Sequence, residues 1–84
     1  MMRTTWHTFY YPVYENERGE WMDICYSIDN RGWYLRHKAA GAAISIRLFG
    51  PGHSRRADFD SACRHLKRKA EACGMKLHHT ELRR

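Results

Sequence analysis

The chain has 84 residues, 43% of them hydrophobic and 29% charged, a size that fits one domain and leaves little interior for a large enclosed active site. That balance excludes global disorder and low-complexity or collagen-like classes, and the formal charge of +6 favours acidic partners. Aromatic residues are in excess, with three Trp, five Tyr and three Phe.

From Thr4 to Tyr14 the chain is rich in β-branched and aromatic residues and predicts a first strand, which Pro12 assigns to a sheet edge or a bulge. Glu15 to Gly19 is a polar hairpin loop. Glu20 to Ile28 alternates, with Met22, Ile24, Tyr26 and Ile28 on one face and Trp21, Asp23, Cys25 and Ser27 on the other. Asp29-Asn30-Arg31-Gly32 is a turn, Trp33 to Lys38 a third strand and Ile44 to Phe49 a fourth, joined by small residues around Gly41. Gly50-Pro51-Gly52 ends the sheet region.

One helix follows, starting between Arg55 and Phe59, with Ser54 or Asp58 as its cap and Gly74 as its stop. Phe59, Cys63, Leu66, Ala70 and Cys73 recur at helical spacing and form an apolar stripe for the sheet. Residues from Lys76 to Leu82 form either a short fifth strand or an extended tail. The expected fold is α+β: an antiparallel meander of four strands, a fifth left open, and one C-terminal helix packed on one face, all in a single domain over residues 1–84.

One helix covers one sheet face. Placing Met22 and its neighbours under the helix puts Phe9, Tyr11, Val13, Trp33, Leu35, Ile44, Ile46 and Leu48 there as well. Trp6, Tyr10, Tyr14, Trp21, Tyr34 and Phe49 then fall on the opposite face, interleaved with Arg36, Lys38 and Arg47. Flat rings beside cations suit single-stranded nucleic acid, whose bases stack while phosphates meet Arg and Lys. They suit the core of a protein interface equally.

Charge is uneven. Residues 1–30 carry a net −3 and residues 31–84 a net +9. Arg64 and Arg68 lie opposite the helix's apolar stripe, flanked by Lys67 and Lys69, and Arg55 and Arg56 at the helix start extend this basic ridge. A solvated helix face, with Asp60 pairing Arg64, is the plain reading of the same residues; phosphate contact is the functional one. The loop from Gly50 to Arg56 offers amides and guanidinium groups before a helix N-terminus but lacks nucleotide-binding fingerprints.

Catalytic patterns are missing from the sequence. Cys63, His65, Cys73, His78 and His79 lie close together without zinc-finger spacing, and Cys63 and Cys73 read as small core residues. No enzyme, cofactor or metal is expected. Three cysteines without paired spacing, no apolar start and no stretch of ~18 apolar residues suit a cytoplasmic protein that does not enter the membrane.

Strands from Trp33 to Phe49 followed by a basic helix resemble, in architecture and over at most half the chain, the DNA-binding modules of integrase arm-binding and plant AP2-type domains. That resemblance implies a sheet docked in the major groove of DNA. The first expected function is a non-enzymatic module binding nucleic acid or a nucleic-acid-handling complex. Arg36, Lys38, Arg47, Arg55, Arg56, Arg64 and Arg68 would meet phosphates, with Trp21, Tyr34 and Phe49 stacking. The alternative is a small inhibitor or adaptor acting on a protein partner, of the anti-CRISPR-like kind that phages use against host defence. A homodimer through the aromatic face is a further arrangement.

Overall fold

The structure is a computed structural model and describes residues 9–39, 41–49 and 54–83. Five antiparallel strands and one helix follow in the order β1 (Phe9–Glu15), β2 (Trp21–Ser27), β3 (Gly32–Ala39), β4 (Ala42–Arg47), α1 (Phe59–Ala72) and β5 (Lys76–Arg83). They form a single sheet ordered β4-β3-β2-β1-β5, so the fold is α+β and the fifth strand is present.

Local chemistry explains the elements. Asn16 organises the first hairpin: its side-chain Oδ1 accepts the amides of Arg18 and Glu20 at 2.9 and 3.1 Å, while Gly19 takes a left-handed φ of 78°. Such a turn lets β2 return beside β1. The helix begins at Phe59 after a turn in which the Ser54 hydroxyl accepts the Ala57 amide, and the Asp58 side chain makes no cap hydrogen bond. Gly74, at a φ of 76°, ends it, and the Met75 amide returns to the Ala70 carbonyl at 2.9 Å.

The helix lies chiefly on β2 and β1. Beneath it Met22, Ile24 and Trp33 are fully buried with Leu35, Tyr11 and Tyr14, facing Ala62, Leu66, Ala70 and Met75. Phe59 anchors the helix start among rings, stacked on Phe9 at 4.4 Å and within 6 Å of Tyr11 and Trp33. Such a cluster adds about 0.5–1.5 kcal/mol per favourable ring pair beyond its area burial. The stripe is therefore centred on Ala62, Leu66 and Ala70; Cys63 is half-buried and Cys73, expected inside, is exposed.

β1 departs from expectation. It lies inside the sheet, yet it faces β2 at only two positions, Tyr14 opposite Met22 and Glu15 opposite Trp21, and faces β5 at seven. Pro12 sits where pairing to β2 has already stopped, so its missing amide costs no bond there. Between Tyr11 and Tyr14 the strand turns over. Both rings reach the helix side, whereas Val13 joins Trp21 and Asp23 in the wall of the opposite face. Tyr14, expected on the open face, is 7% exposed in the core.

Two further positions differ at the other edge. β4 ends at Arg47, so strand alternation does not govern Leu48 and Phe49, and both pack against the core. Ile44 and Ile46, expected under the helix, are 53% and 47% exposed because the helix does not extend over β4. Ile28 lies in the β2–β3 turn, in solvent.

Candidate functional site

The sheet face away from the helix is organised around Asp23, the one buried charged residue among those described, at 3% exposure. Arg36, directly across on β3, grips it with both arms, Nε to Oδ1 at 2.8 Å and Nη2 to Oδ2 at 2.6 Å. Arg83 arrives from β5, where β1 has parted from β2, and donates to Asp23 Oδ2 at 2.9 Å and to the Ile24 carbonyl at 3.0 Å. Its guanidinium also binds Glu81 at 2.7 Å and lies over the Tyr11 ring. Forked guanidinium–carboxylate pairs are strong because two charge-assisted bonds share one plane. Its hydrogen bonds to the Asp23 carboxylate hold the Arg36 guanidinium above its usual range, so it stays charged.

The other expected sheet residues are equally occupied. Arg36 stacks over Trp21 at 5.6 Å and Arg47 over Tyr34 at 5.0 Å. Arg47 donates to the carbonyls of Asn30 and Phe49 and to the Tyr34 hydroxyl, at 3.0, 3.3 and 2.9 Å. That clamp ties the end of β4 to the turn between β2 and β3, and it fills the space that any side chain at Gly32 would need. Lys38, at the far end of β3, is exposed. Of the six aromatics expected on this face, Trp21 and Tyr34 lie there and Tyr10 is exposed. Tyr14 and Phe49 belong to the core, so Phe49 is not a stacking platform on the open face, and Trp6 lies outside the described residues.

The helix presents a different kind of charge. Arg64, Lys67, Arg68 and Lys69 are exposed, and none makes an ion pair among the described residues. Asp60 therefore does not pair Arg64. Arg68 instead approaches His65 at 3.3 Å, and the His65 ring meets Phe49 edge-on. Beside them, Leu35, Ile46 and Leu48 floor a shallow groove whose rim carries His65, Arg68 and Lys69. Arg56 is exposed; Arg55 is half-buried, donating to the Tyr11 hydroxyl and lying over Phe9. The loop residues from Gly50 to His53, expected to offer an anion contact, lie outside the described residues.

Two of the three thiols, Cys25 and Cys63, are poorly suited to nucleophilic work. Burial pushes Cys63 up to about 11, and burial also raises Cys25. Among the described residues no group of three or more His, Cys, Asp and Glu is placed to hold a metal ion, and no helix is long and apolar enough to cross a membrane.

Sequence reasoning missed the Asp23–Arg83 bridge. Asp23 was visible as a lone carboxylate within an aromatic and basic face, but its second partner is 60 residues away on a strand the sequence left open. Comparison with known protein families, characterised proteins and solved structures gives no match, including none to the DNA-binding modules that Trp33 to Phe49 and the helix resemble.

Proposed function

We propose that this chain is a non-enzymatic binding module for nucleic acid or a nucleoprotein, and that its phosphate-contacting surface is the outer face of α1. The observation that carries this reading is the division of cations. Arg36, Arg47 and Arg83 are held by Asp23, Glu81 and backbone carbonyls, whereas Arg64, Lys67, Arg68 and Lys69 stand in solvent without ion partners among the described residues. Four such cations within two turns of helix, Arg64 and Arg68 on its outer side and Lys67 and Lys69 on its flanks, can follow a polyanion backbone, releasing counterions as they bind.

Binding of labelled DNA and RNA oligonucleotides across a salt series tests it. With four phosphates engaged, log affinity falls against log salt with a slope of about −3 to −4. Binding that ignores salt, or no binding at low salt, overturns the reading.

The second reading, a small inhibitor or adaptor acting on a protein partner, draws support from β4. Among the described residues its outer edge has no following strand, and Ile44 and Ile46 stand in solvent beside the apolar groove. Partner capture that survives nuclease favours this reading; loss of every partner after nuclease favours the first.

A further inference from the structure

Consecutive residues of a strand normally point to opposite faces. In β5 the facing pairs step from Val13–His79 to Tyr14–Leu77, so His78 is an extra residue with no partner opposite it. This bulge brings two consecutive imidazoles together, with His78 Nδ1 2.7 Å from His79 Nδ1. The other nitrogen of each ring is already engaged: His78 Nε2 lies 3.0 Å from Glu15 and His79 Nε2 2.9 Å from Glu81.

Counting hydrogens exposes a deficit. Three polar contacts need three hydrogens, and two neutral imidazoles carry two. A carboxylate only accepts, so each Nε2 keeps its hydrogen and donates it. Both Nδ1 atoms then turn bare lone pairs toward each other. A cation set to one side of the pair, within reach of both Nδ1 lone pairs, removes the conflict.

The geometry points to a surface site for a tetragonal divalent transition-metal ion of the copper(II) or nickel(II) class, bound by Nδ1 of His78 and Nδ1 of His79. Imidazole nitrogen suits these ions. Metal–nitrogen bonds of about 2.0 Å at a right angle place adjacent nitrogens about 2.8 Å apart, close to the separation observed. Glu15 and Glu81 occupy the outer positions that orient metal-bound imidazoles in proteins, each accepting the hydrogen of the second ring nitrogen. Both imidazoles are near half-exposed, at 57% and 42%, so an ion reaches them directly and water completes its coordination. Only two donors face the ion, because the carboxylates lie on the far sides of the rings. The site is thus a two-ligand chelate, distinct from any closed zinc site and from the helix surface proposed for nucleic acid.

Titration of the full chain with copper(II) chloride, followed by electron paramagnetic resonance and calorimetry, tests it. The expected result is one ion per chain with two imidazole nitrogens in its hyperfine pattern. His78→Gln and His79→Gln should each weaken binding about a hundredfold or more, beyond the roughly 10–100-fold that loss of a ligand's outer support costs. Glu81→Gln should weaken it less while keeping both nitrogens. His65→Gln, away from the pair, should leave it unchanged, all comparisons being made with Cys73→Ser in place so that the exposed thiol does not reduce copper(II), and circular dichroism of each variant reports folding separately. If the double variant His78→Gln/His79→Gln binds copper as tightly as the parent chain, or the spectrum lacks two imidazole nitrogens, the assignment is wrong and a third hydrogen fills the gap.

Discussion

The two basic surfaces of this protein share a residue type and little else. On the sheet, arginines meet a buried carboxylate, carbonyls and rings, and most of their donors are spent inside the fold. On the helix, Arg64, Lys67, Arg68 and Lys69 project into water. Positive charge counted from sequence is therefore a poor measure of positive charge offered to a partner. What separates the two sets is geometry: a planar guanidinium beside a sheet finds carboxylate and carbonyl acceptors, whereas one on an outer helix face finds few.

Asp23→Ala should break the sheet set most severely. It leaves two guanidinium groups facing an apolar gap, and because both are partly solvated the loss is about 2–3 kcal/mol rather than the full penalty of a buried pair. In a domain this small that lowers Tm by roughly 10–20 °C, measurable by thermal melting. Affinity of the folded fraction for oligonucleotides should not fall; if it does, Asp23 organises the binding surface and the division of roles fails.

Arg64→Ala with Arg68→Ala is the converse test. Binding should weaken about tenfold at ~0.1 M salt and the salt slope should shrink by about 2, while stability stays within ~0.5 kcal/mol. A smaller effect follows for Arg47→Lys, which keeps the charge and loses the fork to Asn30, Phe49 and Tyr34: a loss of about 1 kcal/mol in denaturant unfolding, with binding unchanged. Smallest in energy is a contrast between thiols. With Cys63 at about 11, roughly one molecule in a thousand carries its thiolate at pH 8, so iodoacetamide should label exposed Cys73 well before Cys63. Equal rates would mean that the helix opens from the sheet on the labelling timescale.

Much of the fold was legible in the sequence where local pattern and global packing agree. Met22, Ile24, Trp33 and Leu35 alternate as buried residues should, and Leu66 and Ala70 keep helical spacing up to the stop at Gly74. Alternation failed where strands stop being regular. Tyr14 changes face because β1 turns over beside Pro12, and Phe49 because β4 has ended two residues earlier. The candidate surface divided along the same line. Arg64 and Arg68 follow from helix geometry alone, whereas the engagement of Arg36 and Arg47 depends on neighbours across the sheet. The meeting of His78 with His79 depends on a bulge that only pairing with β1 reveals.

The scarcity of contacts between β1 and β2 has a kinetic meaning. Most of the bonding available to β1 is to a strand about seventy positions later in the chain. Loop closure over that separation costs entropy before any bond is returned, and non-local pairing of this kind slows folding. The hairpins β2–β3 and β3–β4, closed by short turns, can assemble first as a local unit. β1 and β5 then join it together, and Asp23 is among the last groups to find both of its partners, since Arg83 reaches it only when that final strand is laid down.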